Sequence, residues 1–257
     1  MNYDNILSKN KEGTCYITIN RPKNLNALNG STISELNKAI SAADKDTSVR
    51  CIILTGADTK AFVAGADIKE FATFDKNGGE NLARKGQELL FDLLENASTP
   101  SIAAINGFAL GGGLELAMAC HIRIASDNAK MGLPEVSLGV IPGYGGTQRL
   151  ASLVGKGKAM EMITTAGMLS ATDAKDWGLV NHVCLQEELM PMAEKLASKI
   201  KRNSPMAIAK AIKSVNAGFT DGVNGFEVEI SEFGSCFETP EFVEGTTAFM
   251  EKRKAKF

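Results

Sequence analysis

The sequence predicts an α/β fold in which buried parallel strands alternate with helices. Two short runs, residues 50–56 and 101–107, are almost continuously apolar, as is usual for strands that are covered on both faces. Between them, residues 82–94 carry leucines at helical spacing, and the order strand, helix, strand is typical of a right-handed crossover onto a parallel sheet. Past residue 186 the pattern is helical throughout, so we expect a helical C-terminal region.

Local signals place the other elements. Residues 14–20 alternate apolar and polar side chains, which is the pattern of a strand. Thr32 and Glu35 have the spacing of a capping box, so we expect a helix to begin there. Ser204 and Thr239 each precede a proline, and this combination predicts two helix starts in the tail. Further strands are predicted at residues 121–126 and 179–185.

Composition excludes several classes of protein. Lys plus Arg number 28 against 30 Asp plus Glu, and this balance gives no overall basic field to attract nucleic acid or an anionic membrane. The five cysteines form no CxxC pair, and their odd number argues against a disulfide framework. We therefore expect a cytoplasmic protein without a metal site, a nucleic-acid partner or a membrane partner.

Glycine and isolated acidic residues concentrate in four segments. Three of them lie where a strand or an irregular stretch gives way to a helical pattern, and ligands of open α/β sheets bind at such junctions. No glycine pair completes the GxGxxG of a dinucleotide site, and no P-loop lysine follows. The segments are FVAGADIKEF (62–71), NGFALGGGLE (106–115), MGLPEVSLGV (131–140) and IPGYGGTQR (141–149).

Two glutamates in these segments have unusual surroundings. Glu115 follows three glycines, residues 111–113, and is surrounded by apolar residues, so it needs a partner or a raised pKa if it is buried. Glu135 lies between Pro134 and Val136. The glycines are explained equally well by close helix packing or by an anion site of free N–H groups. Each acid also has a structural explanation, as a helix-start or turn carboxylate, and the two together are suited to holding one water.

These four segments, with the C-terminal TAFMEKRKAKF, resemble the crotonase, or enoyl-CoA hydratase, superfamily, and most closely its short-chain branch. The resemblance extends from residues 17–29 to the C-terminus. It implies a spiral of ββα turns over residues 1–195 and a helical trimerisation region over residues 196–257. It also implies a homotrimer or a dimer of trimers.

The resemblance implies reversible hydration of short-chain trans-2-enoyl-CoA thioesters to 3-hydroxyacyl-CoA, without a cofactor, since coenzyme A is part of the substrate. The N–H groups of Ala66 and Gly112 correspond to the family's oxyanion hole. Glu115 and Glu135 correspond to the two acids that hold the water, remove its proton and protonate the α-carbon.

Coenzyme A contacts are implied for a further set of positions. Phe249 and Lys252 correspond to residues that reach the coenzyme from a neighbouring subunit, although the basic tail is also explained as a solvated helix end. The other implied contacts are Leu25, Ala64, Gly65, Asp67, Ile68 and Lys69. The sequence departs from common family patterns at Leu114, Leu133 and Tyr144.

Two other functions stay open at the level of sequence. A Δ3,Δ2-enoyl-CoA isomerase of the same superfamily uses fewer acids in its site, so the presence of both glutamates favours hydration. An RNA-binding or scaffold role is known in the superfamily, but the net charge of −2 argues against it.

Overall fold

The structure is a computed structural model that describes residues 3–257, and two β-sheets lie at its centre. The larger sheet has the order β1-β2-β3-β5-β7-β10, and the smaller has the order β4-β6-β8-β9. The strands are β1 (Ile6–Lys11), β2 (Thr14–Ile19), β3 (Cys51–Gly56), β4 (Ala61–Val63), β5 (Ser101–Ile105), β6 (Phe108–Leu110), β7 (Ile122–Ser126), β8 (Lys130–Gly132), β9 (Met168–Ser170) and β10 (His182–Cys184).

Eleven helices are described within residues 3–257, and a π-helical segment, Gln87–Phe91, joins the second to the third. They are α1 (Gly30–Lys45), α2 (Lys76–Gly86), α3 (Asp92–Glu95), α4 (Gly112–Ala119), α5 (Gly146–Val154), α6 (Lys156–Thr165), α7 (Ala171–Asp176), α8 (Leu189–Ile200), α9 (Pro205–Ala217), α10 (Gly225–Cys236) and α11 (Pro240–Met250).

Successive turns of the chain form a spiral of ββα units. β3, β5 and β7 enter the larger sheet, and each is followed at once by a strand of the smaller sheet, β4, β6 and β8. Within each of these two sets the strands pair in parallel. The predicted α/β spiral with a helical C-terminal region is therefore confirmed.

Burial on both faces of the larger sheet explains its continuous apolar runs. On β3, Ile52 and Leu54 belong to the main core, whereas Cys51 and Ile53 face a second core that α8 covers. A strand between two cores has no solvent-facing side on which polar residues would alternate. The predicted division between residues 195 and 196 falls inside α8, and the first helix wholly beyond it is α9.

Most predicted elements are present, but one predicted helix start is wrong. α1 begins at Gly30 because the Asn29 side chain accepts a hydrogen bond of 2.8 Å from the Thr32 N–H. Glu35 accepts from the backbone of Asn5 instead of completing a capping box. The predicted caps Ser204 and Thr239 are confirmed, and each accepts from an N–H three residues on.

The helical C-terminal region exposes much of its apolar surface. α9 and α10 pack against each other, but neither contains a fully buried residue, and in α11 only Ala248 is buried. None of the helices in residues 3–257 combines the length and the hydropathy of a membrane span.

Close contact between β4 and α4 requires glycine at position 113, and we predict that Gly113→Ala strongly destabilises the fold. A methyl group there would lie 2.0 Å from the carbonyl oxygen of Val63. We expect the free energy of unfolding in urea to fall by several kcal/mol, or soluble protein to be lost. Gly157→Ala in α6 is the matched control, because nothing lies within 4 Å of its added methyl group. It should raise stability by about 0.5–1 kcal/mol, and equal effects of the two changes would contradict the packing argument.

Candidate active site

Three chain segments meet in one cleft because three short parallel strands lie side by side. β6 pairs with β4 on one side and with β8 on the other, so the carboxyl ends of all three strands meet at one edge. Residues 64–66, 111–112 and 134–135 follow these strands and line a cleft of about 270 Å³. The structure therefore brings Ala66, Gly112, Glu115 and Glu135 together, as the sequence analysis expected of the two glutamates.

Two backbone N–H groups lie close together at this cleft. Gly112 is the first residue of α4, so its N–H has no acceptor within the helix. A methyl group on Gly112 would lie only 3.7 Å from the amide nitrogen of Ala66. Within residues 3–257 neither N–H donates to a protein acceptor. The pair is therefore available to a ligand oxygen.

Glu115 is buried, and backbone groups hold its carboxylate. The residue is 1% exposed, and its Oε1 accepts hydrogen bonds of 2.8 Å from the N–H groups of both Tyr144 and Gly146. A methyl group on Gly146 would lie 2.7 Å from this oxygen, so only glycine permits the approach. Because Glu115 also lines the cleft, Oε2 is the oxygen left for a ligand.

Glu135 approaches the same cleft from the other side. It begins a short 3₁₀ helix, Glu135–Leu138, directly after β8. A methyl group on Gly111 would lie 2.8 Å from Glu135 Oε1, and the φ of Gly111 is +50°, so glycine is required there on both grounds. Among the described residues, Oε2 of Glu135 is buried and has no hydrogen-bond partner. Leu133, which is fully buried, offers it no donor.

The two carboxyl groups are electrostatically coupled. Burial, followed by the charge of Glu135, raises the pKa of Glu115 to about 7, although the two N–H donors and Arg149 oppose the change. Burial also raises the pKa of Glu135. The sequence does not decide whether the helix start keeps Glu115 ionised or the apolar surroundings favour its neutral form. In the structure the surroundings prevail, since they raise the pKa. At neutral pH such a pair holds a proton that it can exchange.

The predicted coenzyme-binding residues divide into two groups. Ala64, Gly65 and Ile68 line the cleft, whereas Asp67 forms an ion pair with Arg21 at 3.2 Å. Asp67 and the other four predicted residues are absent from the cleft wall of this chain. Leu25 supports the wall indirectly, because its carbonyl accepts a hydrogen bond of 3.1 Å from the Ala64 N–H. Lys69 is exposed outside the wall.

The C-terminal residues Phe249 and Lys252 do not line the cleft of their own chain. Phe249 is 85% exposed and Lys252 follows directly after α11. The chain end is held elsewhere, since the Phe257 carbonyl accepts a hydrogen bond of 3.2 Å from Arg50. A coenzyme contact from these two residues therefore stays a prediction.

Sequence reasoning missed the group that holds Glu115. The signal was the glycine-rich segment IPGYGGTQR, whose backbone amides were not predicted to bind Glu115. Tyr144 of this segment is a buried cleft wall, stacked on Phe91 with ring centroids 4.7 Å apart. Burial raises the pKa of its hydroxyl to about 12, so the phenol stays neutral.

Across residues 3–257 no group of three His, Cys, Asp or Glu side chains is placed to hold a metal ion.

Comparison with known proteins gives one family. The sequence profile described as enoyl-CoA hydratase/isomerase matches residues 9–257. The chain is 45% identical to the crotonyl-CoA hydratase of Syntrophomonas wolfei, over 100% of this chain and 99% of that one. It is also 45% identical to the short-chain-enoyl-CoA hydratase of Clostridium acetobutylicum, over 99% and 97%. An enoyl-CoA hydratase subunit from Geobacillus kaustophilus superposes with a TM-score of 0.93 at 38% identity, over 99% and 98%.

The raised pKa of Glu115 predicts a specific dependence of stability on pH. Protonated Glu115 stabilises the folded chain fully below pH 4.5, and this contribution is lost as the pH rises through about 7. Glu115→Gln keeps an oxygen for both N–H donors but removes the charge. The free energy of unfolding of the variant, relative to that of the unmodified protein, should therefore rise from pH 5 to pH 8, by at most about 3 kcal/mol.

Urea unfolding at the two pH values measures this difference. Glu88→Gln is the control, because it removes an exposed carboxylate of the π-helical segment Gln87–Phe91 and should leave the pH dependence of stability unchanged. If the stability of Glu115→Gln relative to the unmodified protein instead falls as the pH rises, burial does not raise the pKa of Glu115 as described.

Proposed function

The chain belongs to the enoyl-CoA hydratase/isomerase family, and from this premise we propose that it hydrates short-chain trans-2-enoyl-CoA thioesters reversibly to 3-hydroxyacyl-CoA. The observation that carries the proposal is the position of two acids, Glu115 and Glu135, on the same cleft as a pair of free backbone N–H groups. Water addition across a conjugated double bond needs a base, an acid and a site for negative charge.

The thioester oxygen occupies the space between the Ala66 and Gly112 N–H groups. When water adds at the β-carbon, electron density moves to this oxygen and an enolate-like charge develops there. Donors that are already in place stabilise that charge without reorganising, and one such donor is typically worth about 2.7–4 kcal/mol of barrier. Because both donors are backbone groups, no side-chain substitution removes them.

The two acids have different roles in the hydration direction. Glu115 is the base, because two N–H groups hold its Oε1, Oε2 is left for the water, and a pKa of about 7 lets the carboxylate take up a proton at neutral pH. Glu135 is the acid, because its buried Oε2 has no donor among the described residues and favours the protonated form. Glu115 takes a proton from water, the hydroxyl bonds to the β-carbon, and Glu135 protonates the α-carbon. Dehydration reverses each step.

The cleft supports a short acyl group. Its wall is mainly apolar, and the Tyr144 ring, braced by Phe91, closes the side next to Gly112. A methyl group on Gly112 would lie 3.5 Å from this ring, so the ring limits the cleft on the side of the oxyanion donors. The chain's own residues supply the base, the acid and the oxyanion donors, so the proposal needs no separate cofactor.

We propose a homotrimer, or a dimer of trimers, in which α9–α11 cover neighbouring subunits. The support is the set of large apolar side chains that these helices expose, because exposed apolar surface of this kind marks contact sites with other proteins. The large exposed side chains of this surface include Met206, Val215, Phe219, Phe226, Ile230, Phe233, Phe237, Val243, Phe249 and Met250.

We place the enzyme in the cytoplasm, where the free thiols of its five cysteines persist.

Single substitutions of the two acids test the proposed chemistry. Glu115→Gln and Glu135→Gln should each lower kcat for hydration of crotonyl-CoA by about 10²–10⁴-fold, because each removes one proton transfer. The measurement is loss of the conjugated enoyl absorbance, and Glu88→Gln is the control at an exposed position. Unchanged rates in both variants would exclude the mechanism.

If a 3-enoyl-CoA shifts its double bond without forming a hydroxyacyl product, the chain is an isomerase.

Lys252→Ala tests the contact from a neighbouring subunit. Loss of one exposed charge pair with a coenzyme phosphate should raise KM for crotonyl-CoA about two- to fivefold and leave kcat unchanged. Crotonyl-pantetheine, which lacks the nucleotide, is the matched control substrate, and its KM should not change. An equal rise in KM for both thioesters would place Lys252 away from the nucleotide.

A further inference from the structure

The position of Glu115 depends on a turn that no β-sheet holds. Both donors to its Oε1 are backbone N–H groups of residues 143–146, a turn that ends on the first residue of α5. The turn lies outside both sheets, and the first N–H groups of α5 bond to its Gly145 carbonyl. Side-chain contacts fix the rest of the turn. One such contact is the Gln87 side chain, which donates to the Gly143 carbonyl at 2.7 Å.

Arg149 makes the other contact. Its Nη1 donates to the carbonyl of Tyr144 at 2.9 Å, and the N–H of Tyr144 is one of the two that bind Glu115. Its Nη2 donates to Asp92 at 3.0 Å and to Glu95 at 2.5 Å. Both carboxylates belong to α3, so the guanidinium fastens the turn to a helix.

The turn is shaped to receive this guanidinium. Gly145 has a φ of +88°, and a methyl group there would lie 2.2 Å from Arg149 Nη1. Any side chain at position 145 would displace the guanidinium as well as strain the backbone. The glycine thus lets the N–H groups of its two neighbours, Tyr144 and Gly146, converge on Glu115 while the Tyr144 carbonyl turns towards Arg149.

A role in stability alone explains the arrangement less well. Arg149 is largely buried and its Nε has no partner among the described residues, which is a cost that an apolar side chain would avoid. The charged groups around the turn are Glu115 and Glu135 on the cleft side and Asp92 and Glu95 on the far side. The positive charge of Arg149 also opposes the rise in the pKa of Glu115.

We infer that Arg149 is a positioning residue for the proposed hydration, because it fixes residues 143–146 so that both amides stay on Glu115 Oε1 and Oε2 faces the water. The inference rests on the proposed function, in which Glu115 is the base. Arg149 itself does not line the cleft; it lines a separate cavity of about 530 Å³ beneath α9.

Arg149→Lys and Arg149→Met test the inference. Lysine keeps the charge but cannot bond to Tyr144 and to both α3 carboxylates in fixed directions. We expect kcat for crotonyl-CoA to fall about 10–100-fold in both variants, with KM within about twofold, because a small misplacement of the base slows the chemical step. The acid limb of the kcat/KM profile should move to higher pH in Arg149→Met, which lacks the charge, and less in Arg149→Lys.

Arg123→Lys is the matched control. Arg123 is also buried and bonds to backbone carbonyls, those of Leu179, Cys120 and, at the end of α4, Ala117 and Met118, but it does not touch the turn. Its kcat per folded site, counted by acetoacetyl-CoA binding, should stay at the level of the unmodified protein. If the Arg149 variants do not fold, Asp92→Asn combined with Glu95→Gln loosens the same guanidinium and should lower kcat in the same direction.

The outcomes separate the two proposals. If the unmodified protein does not hydrate crotonyl-CoA, the proposed function is wrong. If it does, and Arg149→Lys and Arg149→Met keep both its kcat per folded site and its pH profile, the positioning role is overturned. A loss that appears only as fewer folded sites would also overturn it, since that is the behaviour of a purely structural residue.

Discussion

The parallel pairing of three very short strands, β4, β6 and β8, brings together the segments that carry the amides and the two acids of the cleft. Each strand has only three residues, so its direction comes from its neighbours and from the larger sheet that precedes it. Glycine at position 113 allows α4 to approach β4 closely enough for the Ala66 and Gly112 amides to share one space. The Ala66 and Gly112 amides and both acids are thus positioned by backbone packing.

The chemistry of the cleft costs the fold stability. A buried carboxylate with a raised pKa, a second one beside it and an unpaired guanidinium nitrogen would each be less costly as apolar groups. Backbone N–H groups on Glu115 and the Arg149 charge behind them offset part of this cost. Buried acids held in this way exchange protons near neutral pH, as a reaction that both removes and delivers a proton requires.

The elements that the sequence predicted correctly are those with local signals. β3 and β5 were found because burial on both faces makes them continuously apolar, and the caps of α9 and α11 because proline follows each capping residue. The small sheet was not found from periodicity, since three residues are too few for a pattern, and it entered only through the family resemblance. Asn29 rather than Thr32 caps α1. The amides that hold Glu115 were missed although glycines mark their segment, because glycine does not indicate which acceptor the amides bind. The arginine behind them was missed because tertiary contacts leave no residue pattern.

A structure with bound acetoacetyl-CoA tests most directly whether one cleft holds both the enolate oxygen and the water. The account predicts the thioester oxygen about 2.7–3.1 Å from the amide nitrogens of both Ala66 and Gly112. It also predicts the β-carbon facing the gap between Glu115 and Glu135. A thioester oxygen bound away from either amide, or a β-carbon that faces only one of the two acids, would contradict it.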